Sequence, residues 1–162
     1  MNIVLGIDPS MCRTGWGVIK ADNMTHIAHG VIKIKSTLRS EQRLANLANE
    51  LELIIKFHNP DIICIEETFC GINPMTTLRL GFAFGCILTV CGKLNLPVFK
   101  YATRLVKQTI TETGAATKDM VLAKVLELLK VEVNNFDSSD ALAVAITHCL
   151  FQNKISNTVN SI

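Results

Sequence analysis

None of the six cysteines forms a Cys-x-x-Cys pair, the spacing that a structural zinc site or a thiol redox motif would need. Four of them lie inside apolar segments and read as reduced, small hydrophobes. No uninterrupted apolar run reaches bilayer-spanning length; the most apolar stretch, Leu80 to Val90, is closed off by Arg79 and Lys93. No secretory leader precedes the first strand-like run, so a cytoplasmic protein without a membrane partner is expected. Net charge is only +2, which excludes a broadly basic chain. Internal repeats and low-complexity segments are missing as well.

What is present is a 162-residue chain, 49% hydrophobic, long enough to bury a full core. One domain is expected over residues 1–152, with a polar, fraying tail at 153–162. Residues 3–8, 15–21 and 25–35 read as three antiparallel strands, followed by a helix from Glu41 to Asn59-Pro60. A nearly all-apolar strand at 61–66, a long helix from Met75 to Leu94 and a strand from Pro97 to Tyr101 follow. Helices are expected at 104–112, at 118–129 and from Asp137 onward. The fold class is therefore α/β, a five-stranded mixed sheet with its first three strands antiparallel and helices flanking it. A crossover through the first helix would set the first and fourth strands parallel.

Sites in such sheets form beyond the carboxyl ends of central strands, where this chain places acids. Asp8 closes Ile3-Val4-Leu5-Gly6-Ile7, and Glu66 closes Ile62-Ile63-Cys64-Ile65. An acid ending an apolar strand must be solvated, paired or metal-bound. Glu67 follows directly, but strand alternation turns it to the opposite face. Asp137 and Asp140 share one face of a first helical turn. The bland alternative for Asp8 is a turn before Pro9, and for Asp137 and Asp140 it is helix capping. Taken together, four carboxylates pressed into one pocket repel unless a cation joins them. Two magnesium ions, with manganese able to substitute, would suit phosphodiester hydrolysis.

Basic residues gather between 100 and 118: Lys100, Arg104, Lys107 and Lys118 against the single acid Glu112. Lys107 and Lys118 are candidates for phosphate contact and transition-state stabilisation, with ordinary surface charge as the alternative. Phe69 is either a base-stacking loop aromatic or a core anchor. His148, deep in an apolar run, reads as a core or edge histidine.

The chain resembles the RuvC family, the Holliday-junction resolvases of bacteria. The resemblance rests on Leu5-Gly6-Ile7-Asp8-Pro9, Thr14-Gly15-Trp16-Gly17-Val18, Ile65-Glu66-Glu67-Thr68-Phe69, Leu80-Gly81, Pro97-Val98-Phe99-Lys100-Tyr101, Val106-Lys107-Gln108-Thr109 and the run from Asp140 to Cys149. It implies a ribonuclease-H-like fold and a homodimer that nicks two opposed strands of a four-way DNA junction. It further implies Asp8, Glu66, Asp137 and Asp140 as metal ligands and Lys107 and Lys118 as the basic residues of the active-site region. Arg104 would lie on DNA, Phe69 would contact bases, and the RuvA–RuvB branch-migration complex would be the partner. Ser10 departs from the expected glycine, and Phe82 and Phe84 replace expected Gln and Arg. If that helix forms the dimer surface, these phenylalanines make it more apolar.

Three other readings compete. Actin-like kinases share the Gly-Ile-Asp strand ending but need two domains and a second Asp-x-Gly phosphate loop. Another nuclease of the same fold could act on RNA or on other branched DNA. A non-catalytic junction-binding module has no use for clustered acids.

Overall fold

The computed structural model describes residues 2–67 and 73–159. Strand alternation divides its five strands between two cores. β1 (Ile3–Asp8), β2 (Arg13–Lys20) and β3 (Thr25–Lys33) form an antiparallel meander. Helix α1 (Ser40–His58) then crosses over, so that β4 (Ile62–Glu67) pairs parallel to β1, with Gly6 opposite Cys64. After α2 (Pro74–Lys93), β5 (Val98–Ala102) adds parallel to β4, completing the order β3-β2-β1-β4-β5. The remaining helices are α3 (Thr103–Thr111), α4 (Lys118–Leu129) and α5 (Phe136–Val159). This is the expected five-stranded mixed sheet.

Local chemistry explains most boundaries. Asn59 ends α1 in the left-handed region at φ 46°, just before Pro60, and its N–H donates to Ile55 O at 2.8 Å. Asn73 caps α2 by accepting the Met75 N–H at 2.9 Å, with Pro74 opening the first turn. β2 begins at Arg13, two residues earlier than its apolar pattern suggests. α5 stays helical through Val159, past the Gln152 where a frayed tail is expected, because no glycine or proline interrupts it.

On one face of the sheet, Leu5, Ile7, Val18, Ile63 and Ile65 pack with α1 and α2. On the other, Val4, Ile19 and Cys64 pack with α3, α4 and α5. Helix α5 is buried along Ala141–Ile146 and lies directly on the backbone of β1 and β2. A methyl group at Gly6 would collide with the Ala141 carbonyl, and one at Gly15 with the Asp137 carbonyl. These bare backbones let the helix approach closely and set the height of its first turn.

Helix α2 differs from expectation. By length and composition alone it could cross a membrane, since Arg79 and Lys93 are too few charges to exclude that. Ala83, Ile87, Val90 and Cys91 nevertheless pack on the sheet and α1, while Met75, Leu78 and Phe82 are exposed. Phe84 is half-buried, its ring centroid 6.0 Å from Lys100 Nζ. Among the described residues, Cys12, Cys64, Cys86, Cys91 and Cys149 are free thiols, and burial pushes Cys91 and Cys149 up to about 11.

Candidate active site

Residue parity brings the strand acids together. Val4, Gly6 and Asp8 share the α5 face of β1, and Cys64 and Glu66 share that face of the adjacent β4. Asp8 and Glu66 therefore end neighbouring parallel strands side by side. They line a cleft of about 220 Å³ together with Thr103, Lys107, Lys118 and Asp140. Glu67 points away from Asp8, to within 3.9 Å of Lys100 Nζ.

Burial, followed by repulsion from Glu66 and Asp140, holds the Asp8 carboxyl well above the usual carboxylate range, while Lys118 pulls the other way. Glu66 is raised chiefly by burial, although hydrogen bonds from Thr103 and Asp8 favour its charged form. Burial and mutual repulsion therefore disfavour full ionisation of the Asp8–Glu66 pair. Lys118 Nζ stands 2.9 Å from Asp140 Oδ2, and this hydrogen bond raises the lysine above its ordinary value.

The helix-borne acids are not caps. Asn135 Oδ1 accepts the Ser138 N–H at 2.8 Å, filling the capping role at α5. Asp137 instead accepts from Arg13, whose Nε and Nη2 lie 2.9 and 2.7 Å from Oδ2. Asp8, Glu66 and Asp140 therefore meet in the cleft, and Asp137 is held beside it, outside the lining. Lys107 reaches the cleft and also a second hollow lined by Glu67, Thr103 and Arg104. Phe69 lies outside the described residues. His148 is buried, its Nδ1 2.7 Å from the Tyr101 hydroxyl, in the core as its sequence context suggests.

Reading the sequence alone missed Arg13, Thr103 and Asn135. For Asn135 a signal existed, an Asn two residues before the first acid of an apolar helix. Arg13 gave none, because its partner is 124 residues away.

Among the described residues, no three carboxylate, imidazole or thiol groups stand close enough to form a ready-made cation cage. The donors fit a hard divalent cation all the same. They are oxygens only, and the Lys118 ammonium at Asp140 is a positive charge already drawn to them.

Residues 4–148 match the family model for crossover junction endodeoxyribonuclease RuvC. The RuvC of Erythrobacter litoralis is 41% identical over 149 residues, covering 90% of this chain and 91% of that protein. The RuvC of Yersinia pestis is 43% identical over 160 residues, covering 96% and 91%. Among solved structures, T. thermophilus RuvC in complex with Holliday junction substrate superposes with TM-score 0.87 at 24% identity, covering 95% of this chain and 96% of that one. The yeast mitochondrial Holliday junction resolvase gives 0.72 at 16% identity, covering 97% and 81%. These two likenesses concern the fold, which is ribonuclease-H-like. By its sequence, this chain belongs to the RuvC family of crossover junction endodeoxyribonucleases.

Proposed function

We propose that this protein is a structure-specific endonuclease that resolves four-way (Holliday) DNA junctions in recombination and repair by two symmetric, metal-dependent hydrolyses. The observation that carries the reading is one cleft lined by Asp8, Glu66 and Asp140 with two lysines, in a chain of this family.

Asp8, Glu66, Asp140 and Asp137 are the ligand set for two magnesium ions, with manganese able to serve. When bound, those ions supply an acidified water and offset charge on the departing 3′ oxygen. Lys107, which lines the cleft, would meet the charge that gathers on the scissile phosphate. Lys118 is bonded to Asp140 and keeps the acids compatible before a cation arrives. Thr103 fixes the Glu66 carboxylate by hydrogen bonding. Arg104 and Lys107 border one hollow and would track a DNA backbone, which positions the duplex without reading its sequence. Phe69 is retained as the base-contacting aromatic.

Two cuts require two sites related as the junction arms are, and hence a two-fold homodimer. The outer face of α2, with Met75, Leu78 and Phe82 exposed, supports that assembly. Phe84 faces Lys100 and would lie at the margin of such an interface. Family membership supports, as part of the same reading, cooperation with RuvA–RuvB and operation in the cytoplasm.

Incubation with a synthetic four-way junction, with and without magnesium, tests this function. Paired symmetric nicks that need the cation are expected. Cleavage restricted to RNA-containing substrate, or binding without nicks under magnesium, would overturn it.

A further inference from the structure

We propose that Arg13 is a latch on Asp137. It holds this carboxylate beside the cleft until a divalent cation displaces it, and the released guanidinium then takes a backbone phosphate of the junction. This rests on the reading of Asp137 as a cation ligand.

The backbones on both sides of the pair are fixed. The Asp137 carbonyl is pressed against Gly15, and Asn135 already caps the helix, so local structure does not need the carboxylate where it is. The turn before β2 is stapled by the Thr14 hydroxyl, which donates to Ser10 O at 2.6 Å, and by the Arg13 N–H, which donates to Ser10 Oγ at 3.3 Å. Only the two side chains are free to change partners.

Their present pairing commits one oxygen. Arg13 Nε and Nη2 both donate to Asp137 Oδ2, and the carboxylate does not line the cleft that Asp8, Glu66 and Asp140 share. The Arg13 side chain is 49% exposed and that of Asp137 24%, so water screens the pair and exchange is cheap. A cation that recruits Asp137 leaves a half-exposed guanidinium at the rim of a DNA-cutting site. Its planar fork matches a phosphate. Once cation and DNA are both bound, the cation replaces arginine on the aspartate, phosphate replaces aspartate on the arginine, and each group again has an oppositely charged partner. Lys118 on Asp140 holds the neighbouring acid in the same manner but lies inside the cleft. Because the exchange is reciprocal, cation and DNA strengthen each other's binding through Arg13.

The test uses the full chain without DNA, then with an intact junction. Manganese titrated into the DNA-free protein and followed by electron paramagnetic resonance should bind Arg13→Ala roughly two- to fivefold more tightly than the parent, the factor for an exposed ion pair. Junction affinity measured with calcium and with chelator should fall in Arg13→Ala, and fall further with calcium. Unchanged or weaker manganese binding in Arg13→Ala overturns the latch. An equal loss of junction affinity with and without calcium overturns the phosphate exchange. Asp137→Asn separates the two readings. If it weakens manganese binding while Arg13→Ala does not tighten it, only the latch fails; if it changes nothing, the ligand role of Asp137 fails first.

Discussion

The two faces of the sheet are built to different ends. On the α5 face, a helix lies on bare glycine backbone, and its first turn delivers Asp140 to Asp8 and Glu66 with Asp137 alongside. On the α1–α2 face, the inner side of α2 is packed and its outer side leaves Met75, Leu78 and Phe82 in solvent. The α5 face gathers repelling charges and spends stability on them; the α2 face gathers apolar surface that a single copy does not cover. If the proposed function holds, the comparison teaches that chemistry and assembly would be separable, because each would use its own face of one rigid layer. Substitutions on one face should therefore spare the property that resides on the other.

The largest effect is expected at Asp8. Asp8→Asn removes a carboxyl whose charge the cleft resists, so cleavage of a junction should fall by at least about 10³-fold, as loss of a metal-bound catalytic centre does. Junction binding should hold within a few-fold, since the basic residues remain. The metal-free protein should melt at the same temperature or higher, because burial and repulsion already disfavour the charged form. Single-turnover cleavage, a binding titration and thermal melting check the three parts. Cleavage at the parental rate would remove Asp8 from the chemistry.

Gly6→Ala strikes the same face through packing. Its new methyl meets the Ala141 carbonyl, which is backbone and cannot rotate away. A loss of about 1–3 kcal/mol is expected from overpacking, read by chemical denaturation. Because α5 also carries Asp140, cation affinity should weaken as well. An unchanged denaturation midpoint would mean that the helix sits higher above the sheet.

Phe82→Asp tests the other face. A charge on the exposed side of α2 should shift a dimer towards monomer by roughly 10-fold or more in dissociation constant, on the scale of an interface anchor. Sedimentation reads the shift, and manganese affinity of the separated copies should be unaltered. A parental sedimentation profile would place the interface elsewhere.

Much of this division was legible in the residues themselves. Apolar runs ending in Asp8 and Glu66 mark strand ends, and alternation correctly turns Glu67 away from the cleft. The reach of α5 was not legible. Gly6 and Gly15 are visible as residues, but only the packed helix shows that their missing side chains set its height. Asp137 at a helix start is also a common capping pattern, and only coordinates assign that task to Asn135. Arg13 lay one residue before a motif and two before the strand suggested by its apolar pattern. A pairing across 124 residues leaves no local trace. Helix α2 ran the other way, since its composition is plain but whether water, lipid or protein meets its outer side is not written in hydropathy.

The smallest predicted effect lies within α5 itself, two turns beyond Asp140. His148 is 1% exposed, and burial holds its imidazole below the ordinary histidine value. Its Nδ1 meets the Tyr101 hydroxyl at 2.7 Å, and its ring packs 4.6 Å from that of Phe99. The folded state therefore keeps His148 neutral over a pH range in which the unfolded chain already takes up a proton. Stability from this group is complete above the unfolded value near 6.5 and is lost as pH falls towards the lowered folded value. His26, His29 and His58 are lowered too and act with the same sign. His148→Asn should thus make the decline of stability as pH falls below about 6.5 shallower without removing it. Denaturation midpoints at several pH values measure the slope. An identical slope in parent and variant would show that His148 carries the same proton in both states, and would leave the acid sensitivity to the three histidines outside α5.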